Sequence, residues 1–254
     1  MKLSIIIVNY KADKYLKNCL ESIGKNKSWE VIVIDNSRNN IGYGAGCNLG
    51  AKRAKGEYLL FLNPDTKILK NSLELMIEYL EKNKDVGILG PKLFNSEKLD
   101  LQVSSVGRIN PLTAIFAFSF LNKWFPQNVF SRKYFMSDWN RNSIKEVEVV
   151  SGAALMIRKE VFKKIGGFDE KFFLYFEEND LCLRVKKLGL KVIYYPEAQI
   201  IHYKEKSVVN NKEVSKKAFF SSRYLFFKKH FSFPAALFTE SILRLFEFLN
   251  KDGR

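Results

Sequence analysis

The feature that most constrains this fold is a regular alternation of short apolar runs with helical patterns over the first hundred residues. Leu3-Ser4-Ile5-Ile6-Ile7-Val8 is a β-branched run that reads as a buried strand, and residues 12–23 place Tyr15, Leu16, Cys19, Leu20 and Ile23 at helical spacing. Residues 30–35 form a second strand ending in Asp35. A polar, glycine-rich loop over 36–46 then feeds a short helix through Ala54, and residues 58–62 make a third strand. Asn71 or Ser72 caps a helix over 73–80, before a strand over 86–89. Repeated βαβ units predict a Rossmann-like α/β sheet whose ligand lies off the carboxyl ends of the strands.

Residues 100–146 interrupt this rhythm with aromatic and basic text, read as an insertion with helical pieces. Strand patterns resume over 147–150 and 153–157. A helix follows over 177–188, then a strand pair over 192–195 and 199–202, and the last fifty residues read as two helices broken at Pro234. With 254 residues, 46% of them hydrophobic, the chain can bury a sizeable core as one α/β domain with an elaboration. No repeat or low-complexity linker marks a domain boundary.

The formal charge of +15, from 42 basic against 27 acidic residues, calls for a polyanionic partner: nucleic acid, an anionic bilayer or a phosphorylated substrate. Charge alone does not choose among them. Cys19, Cys47 and Cys182 are odd in number and widely spaced, so neither a disulfide framework nor a zinc pattern is expected, and a reduced, cytosolic setting is. The run over 3–8 is too short for a signal-peptide core.

Two acidic stations carry the chemistry. Asn63-Pro64-Asp65 follows an apolar strand, so its turn places one carboxylate at the strand tip; Mg²⁺ typically takes one or two carboxylates plus phosphate oxygens and water. The second station, Glu177-Glu178-Asn179-Asp180, opens a helix. At about 100° per residue, Leu181, Cys182, Val185 and Leu188 lie within about 80° of Glu178, while Asp180 points about 160° away. Glu178 therefore faces inward, as a general base or as the partner of a buried donor. Asp180 and Glu177 are expected to serve the first turn and its dipole, with Arg184 able to pair with one of them. Asp35, at a strand tip, either accepts from a base ring N–H or caps its own turn. The glycines between Gly42 and Gly50 could bring amides to a diphosphate, and His202, ending an apolar run, is either structural or a metal ligand.

Taken in order, several segments resemble the family-2 glycosyltransferases of GT-A fold, in particular the bacterial rhamnosyltransferase-like branch that builds O-antigen and other cell-surface polysaccharides. They are Ser4-Ile5-Ile6-Ile7-Val8-Asn9-Tyr10, Val33-Ile34-Asp35-Asn36-Ser37, Leu60-Phe61-Leu62-Asn63-Pro64-Asp65, Val150-Ser151-Gly152-Ala153-Ala154, and Gly166-Gly167-Phe168-Asp169-Glu170 leading to Tyr175-Phe176-Glu177-Glu178-Asn179-Asp180. The resemblance spans residues 3–204.

Carried over by position, the resemblance implies that Tyr10 and Asp35 bind the nucleoside and that Asn48 lies near the ribose or diphosphate. Asp65 takes the metal-binding place of the DxD-type motif, with Asn63 in place of its first Asp, and His202 is the late ligand to Mg²⁺ or Mn²⁺. Gly152, Phe168 and Asp169 border the sugar and acceptor. Glu178 stands where the family usually has the Asp base, and Asp180 is the runner-up. The expected reaction is an inverting transfer from a nucleotide-sugar donor, dTDP-rhamnose first and UDP-sugars next, to a polyprenyl-diphosphate-linked sugar or glycan acceptor. A non-catalytic membrane-bound glycan-assembly scaffold is the alternative of another class. No nucleic acid is expected, because the aromatic residues form no recognisable single-strand reader.

Residues 1–100 are then the nucleotide-sugar-binding half, 101–205 the acceptor-binding and catalytic half of the same domain, and 206–254 amphipathic helices facing a membrane or packing on the domain or a second copy as a homodimer. From Tyr203 onward there are eleven basic and five acidic residues. This suits a cytoplasmic enzyme held peripherally at the inner face of the cell membrane on an anionic surface.

Overall fold

The computed structural model describes residues 1–203 and 212–251; the boundary expected between 205 and 206 lies outside the described residues. The first half runs β1 (Leu3–Asn9), α1 (Asp13–Ile23), β2 (Trp29–Asp35), α2 (Tyr43–Arg53), β3 (Tyr58–Leu62), β4 (Thr66–Ile68), α3 (Ser72–Lys82) and β5 (Val86–Phe94). The middle contributes β6 (Leu101–Gln102), β7 (Ser105–Val106), α4 (Pro111–Ala117), α5 (Leu121–Trp124), α6 (Val129–Phe135), β8 (Lys145–Glu146), β9 (Val149–Val150), β10 (Ala154–Arg158) and α7 (Lys159–Lys164). The chain closes with α8 (Glu177–Lys187), β11 (Lys191–His202), α9 (Lys212–His230) and α10 (Phe233–Lys251).

One mixed sheet organises these elements in the order β2-β1-β3-β10-β5-β11-β4. β1 runs parallel to β2 and β3, β10 enters antiparallel between β3 and β5, and β11 lies parallel to β5 and antiparallel to β4. Helices cover both faces, so all seven residues of β1 are buried. Its alternating side chains feed two cores. Leu3, Ile5 and Ile7 join Cys19 of α1 and Met76 of α3, while Ile6 and Val8 join Cys47 of α2 and Leu181 of α8.

Three local expectations change. The glycine-rich segment is mostly helix and not a phosphate loop: a Cβ at Gly46 would come 2.8 Å from Val8, and one at Gly50 2.4 Å from Ile6. Those glycines let α2 lie close against β1. The strand pair expected over 192–202 is the single strand β11, whose register slips between Tyr195 and Gln199, where Pro196 lacks an N–H for the ladder. β4 was not expected, since three residues carry no readable period.

The insertion and the carboxyl-terminal helices form a third core, in which Ile109, Ala114 and Tyr134 meet Phe176, Phe226 and Phe227. A buried ion pair, Arg223 Nε to Glu240 Oε2 at 2.9 Å, joins α9 to α10. The inner faces of these helices therefore cover the domain. The outer face of α10 does not: Leu237, Phe238, Leu245, Phe248 and Leu249 are each more than half exposed, as are Trp124 and Phe125 at the end of α5. Among the described residues no helix is long and apolar enough to cross a membrane.

Candidate active site

The turn after β3 is pinned from three sides. Asn63 N–H donates to the Ala153 carbonyl at 2.9 Å, the Thr66 hydroxyl donates to the Asn63 carbonyl at 2.7 Å, and the Asp65 carbonyl accepts from Tyr203 N–H at 3.0 Å. Behind it, Cys19 Sγ lies 3.4 Å from the Thr66 hydroxyl, and burial pushes that thiol up to about 11. This rigid turn holds Asp65 with almost no exposure. β11 ends beside it because His202 pairs with Thr66 across the antiparallel β4 ladder. The result is a cluster that spans the sequence: His202 Nε2 lies 3.4 Å from Asp65 Oδ1 and 3.3 Å from Asn63 Nδ2, while Nδ1 lies 3.1 Å from Gln102 Nε2.

One oxygen and one imidazole nitrogen 3.4 Å apart fit a shared divalent ion. Ligands about 2.1 Å from a common centre can be at most about 4.2 Å apart. Among the described residues no group of three His, Cys, Asp or Glu forms a closed metal cage. The donor set is therefore open, as expected for an ion that shares its shell with phosphate oxygens and water.

Glu178 sits across the Gly152-Ala153 turn from this cluster. Ala153 holds Asn63, and a Cβ on Gly152 would lie 3.7 Å from Glu178 Cβ and 3.9 Å from its Cδ. The turn is itself fixed by the Tyr43 hydroxyl, which donates to the Gly152 carbonyl at 2.8 Å. Glu178 is half-buried, yet its Oε2 is shielded from solvent without a hydrogen-bond partner among the described residues. Burial raises the Glu178 carboxyl above its ordinary range, against the opposing pull of the amides of Glu178 and Asn179. Burial, and then the charge of Glu178, push Glu177 well above that range. Tyr175 and Phe176, just ahead, both have positive φ, 68° and 65°, uncommon for bulky side chains. Phe176 is held there by rings of Phe118, Phe219 and Phe226.

The nucleoside candidates lie on the same carboxyl edge. Asn9 pairs with Asp35, and Ile7 pairs with Leu62 one strand over. Asp35 Oδ1 accepts from Ser37 N–H at 2.9 Å, which holds the exposed carboxyl below its usual range, while its other oxygen is open to a ligand. Tyr10 is half-buried, with the Lys11 ammonium 5.4 Å from its ring centre.

Four expected site residues serve the scaffold instead. Asn48 spends both ends of its amide on the 167–170 turn: Nδ2 donates to the Phe168 carbonyl and to Glu170 Oε1, and Oδ1 accepts from Phe168 N–H, all at 2.9 Å. Phe168 is a core residue packed on Phe61, Phe162 and Tyr43. Asp169 accepts from Lys229 at 2.6 Å. Asp180 was expected on the outer side of its helix, yet it has no exposure, because the end of α9 covers that side. Its carboxylate takes Arg184 at 2.7 Å, Lys229 at 2.6 Å and His230 at 2.8 Å. Glu177 is buried as well and does not face solvent at the helix start. Sequence reasoning passed over Gln102, Tyr43 and Lys229, whose tasks appear only when distant segments meet.

The glycosyl transferase family 2 profile matches residues 26–166, and one described as the N-terminal domain of galactosyltransferase matches residues 135–206. The chain is 26% identical over 268 residues to the low-salt glycan biosynthesis hexosyltransferase Agl10 of Haloferax volcanii, covering 96% of this chain and 78% of that protein. It is 26% identical over 198 residues to an N-acetylglucosaminyl-diphospho-decaprenol L-rhamnosyltransferase of Mycobacterium tuberculosis, covering 74% of this chain and 64% of that protein. The fold is shared with S. aureus TarS 1-349 in complex with UDP-GlcNAc, at TM-score 0.56 and 17% identity, covering 89% of this chain and 65% of that one. It is shared too with the mannosyltransferase PcManGT of Pyrobaculum calidifontis in complex with GDP-Man and Mn²⁺, at TM-score 0.53 and 14% identity, covering 94% and 73%. The sheet order is thus that of the GT-A fold, and since the first profile spans more than half of the chain, this protein belongs to glycosyl transferase family 2 and is a rhamnosyltransferase-like glycosyltransferase.

Proposed function

We propose that the protein transfers a sugar, rhamnose from dTDP-rhamnose, to a lipid-linked or polysaccharide acceptor in cell-surface glycan synthesis, with inversion. The observation that carries this reading is the meeting of Asp65, His202 and Glu178 around the Gly152-Ala153 turn. Asp65 and His202 would hold Mg²⁺ or Mn²⁺ beside the donor diphosphate, and the related mannosyltransferase structure holding Mn²⁺ supports that choice. Such an ion, when bound, offsets the negative charge gathering on the leaving group. Tyr10 and the free oxygen of Asp35 bind the nucleoside. Glu178 accepts the proton of the acceptor hydroxyl as its oxygen bonds to the anomeric carbon. The bond from that carbon to the diphosphate breaks with its electron pair, so one displacement inverts the centre. We assign residues 1–100 to the donor half, 101–205 to the acceptor and catalytic half, and 206–254 to a membrane-facing element.

Thermal shift with nucleotide sugars tests the donor. dTDP-rhamnose with Mn²⁺ should stabilise the fold by about 2.7 kcal/mol at a hundredfold excess over Kd. UDP-sugars, suggested by the UDP-GlcNAc complex of TarS, should do less. Asp65→Asn should weaken Mn²⁺ binding about tenfold to a hundredfold in the presence of dTDP and abolish the Mn²⁺-dependent part of the shift. Unchanged Mn²⁺ affinity in a folded variant would remove Asp65 from the site.

The exposed apolar face of α10, with Trp124 and Phe125, supports docking on an anionic bilayer, where an acceptor of the lipid-diphosphate kind named for the mycobacterial relative would lie. Full-length protein should float with anionic vesicles, weakening without vanishing as salt screens the basic residues, each worth about 1 kcal/mol near the surface. Replacing Leu237, Phe238, Phe248 and Leu249 by Ser should abolish the salt-resistant part. Truncation is a poorer test, since it removes the buried Phe226 and Phe227. If the Ser variant floats normally but turns a dimer into a monomer, that face belongs to a second copy.

A further inference from the structure

The inference concerns Gln102, a residue outside every motif that pointed to the site, and it rests on the metal reading above. Gln102 ends β6, opposite Leu93 of β5, and is buried. Its Nε2 lies 3.1 Å from His202 Nδ1, and its Oε1 has no hydrogen-bond partner among the described residues. A neutral imidazole carries one N–H and one lone pair. With Gln102 Nε2 donating to Nδ1, the His202 proton is on Nε2, the nitrogen that faces Asp65. That arrangement satisfies the site without a metal, yet Nε2 in that form has no lone pair for a cation. To ligate, Nε2 must give up its proton and Nδ1 must carry one, which needs a buried acceptor. Gln102 supplies it: half a turn of its amide exchanges the two ends at almost no change in shape and brings Oε1 to Nδ1–H.

We propose that Gln102 is a positioning residue that selects the His202 tautomer, presenting Nε2 when the site is empty of metal and Oε1 when a divalent cation is bound. Glutamine suits this task where a carboxylate or a backbone carbonyl does not, because either of those would accept only. The partner of a ligating histidine fixes its ring and tautomer, and its loss typically costs about 10–100-fold in metal affinity.

The test uses the full chain, with Mn²⁺ binding read by electron paramagnetic resonance in the presence of dTDP, at a pH of about 8, above the ordinary imidazole range. Gln102→Met keeps the length of the side chain and removes both polar ends, and should lower Mn²⁺ affinity about 10–100-fold. Gln102→Glu keeps the acceptor alone and should restore it to the wild-type value or above, a rescue that a purely structural role would not give. Nitrogen-15 spectra of the metal-free protein should show His202 protonated at Nε2 in the wild type and at Nδ1 in Gln102→Glu. The proposal is overturned if Gln102→Met binds Mn²⁺ normally while His202→Ala binds it weakly, or if metal-free wild type is already protonated at Nδ1. If His202→Ala and Asp65→Asn also bind Mn²⁺ normally, the metal site itself falls, and this inference with it.

Discussion

Glu178→Gln should lower kcat by about 10²–10⁴-fold while leaving donor binding intact, the loss expected when a general base is removed. The amide keeps the shape of the carboxyl beside Gly152 but cannot accept the hydroxyl proton. Burial raises the Glu178 carboxyl, so the acid limb of the wild-type pH–rate profile should lie above the ordinary glutamate range of about 4.3. That limb should be absent from the variant. The sign for stability is opposite to that for activity. A carboxyl with a raised folded-state value holds its proton more tightly in the folded chain, so its contribution to stability is greatest at low pH and is lost as pH rises through the raised value. At neutral pH, Glu178→Gln should therefore keep or raise Tm, as expected where a strained, desolvated site is held for function. Equal kcat in wild type and variant would move the base elsewhere.

What the sequence disclosed depended on range. β1, β2 and β3 were legible because strands buried on both faces must be apolar throughout, and α8 because Leu181, Cys182 and Val185 recur on one face. β10 gives no sign of its antiparallel place between β3 and β5, since direction leaves no mark on an apolar run. Glu178 could be aimed inward from its own helix. Asp180 could not be placed, because what covers it arrives 50 residues later, at His230. Asn48 and Phe168 failed for a related reason: a polar residue after a glycine loop and an aromatic after two glycines look like ligand contacts until the clamp between them is seen. Gln102 left no signal, since its meaning depends on a histidine 100 residues away.

Asp180→Asn should do the reverse of Glu178→Gln, lowering stability by about 3 kcal/mol while changing kcat of the folded fraction little. Burial alone would raise this carboxyl, but His230, Lys229 and Arg184 outweigh it and hold it down to about 2. Its stabilising contribution is therefore present above the unfolded value of about 3.9 and is lost as pH falls through about 2. The amide would leave two cations and an imidazole converging on a neutral group, with Lys229 and His230 at the end of α9 losing their hold on the helix that carries Glu178. For a chain of this length about 3 kcal/mol corresponds to a fall in Tm of roughly 6–12 °C. Differential scanning calorimetry with single-turnover kinetics below the transition separates the two effects. A folded Asp180→Asn protein with wild-type Tm and a kcat reduced a hundredfold or more would return Asp180 to the reacting centre and leave Glu178 as its buried neighbour.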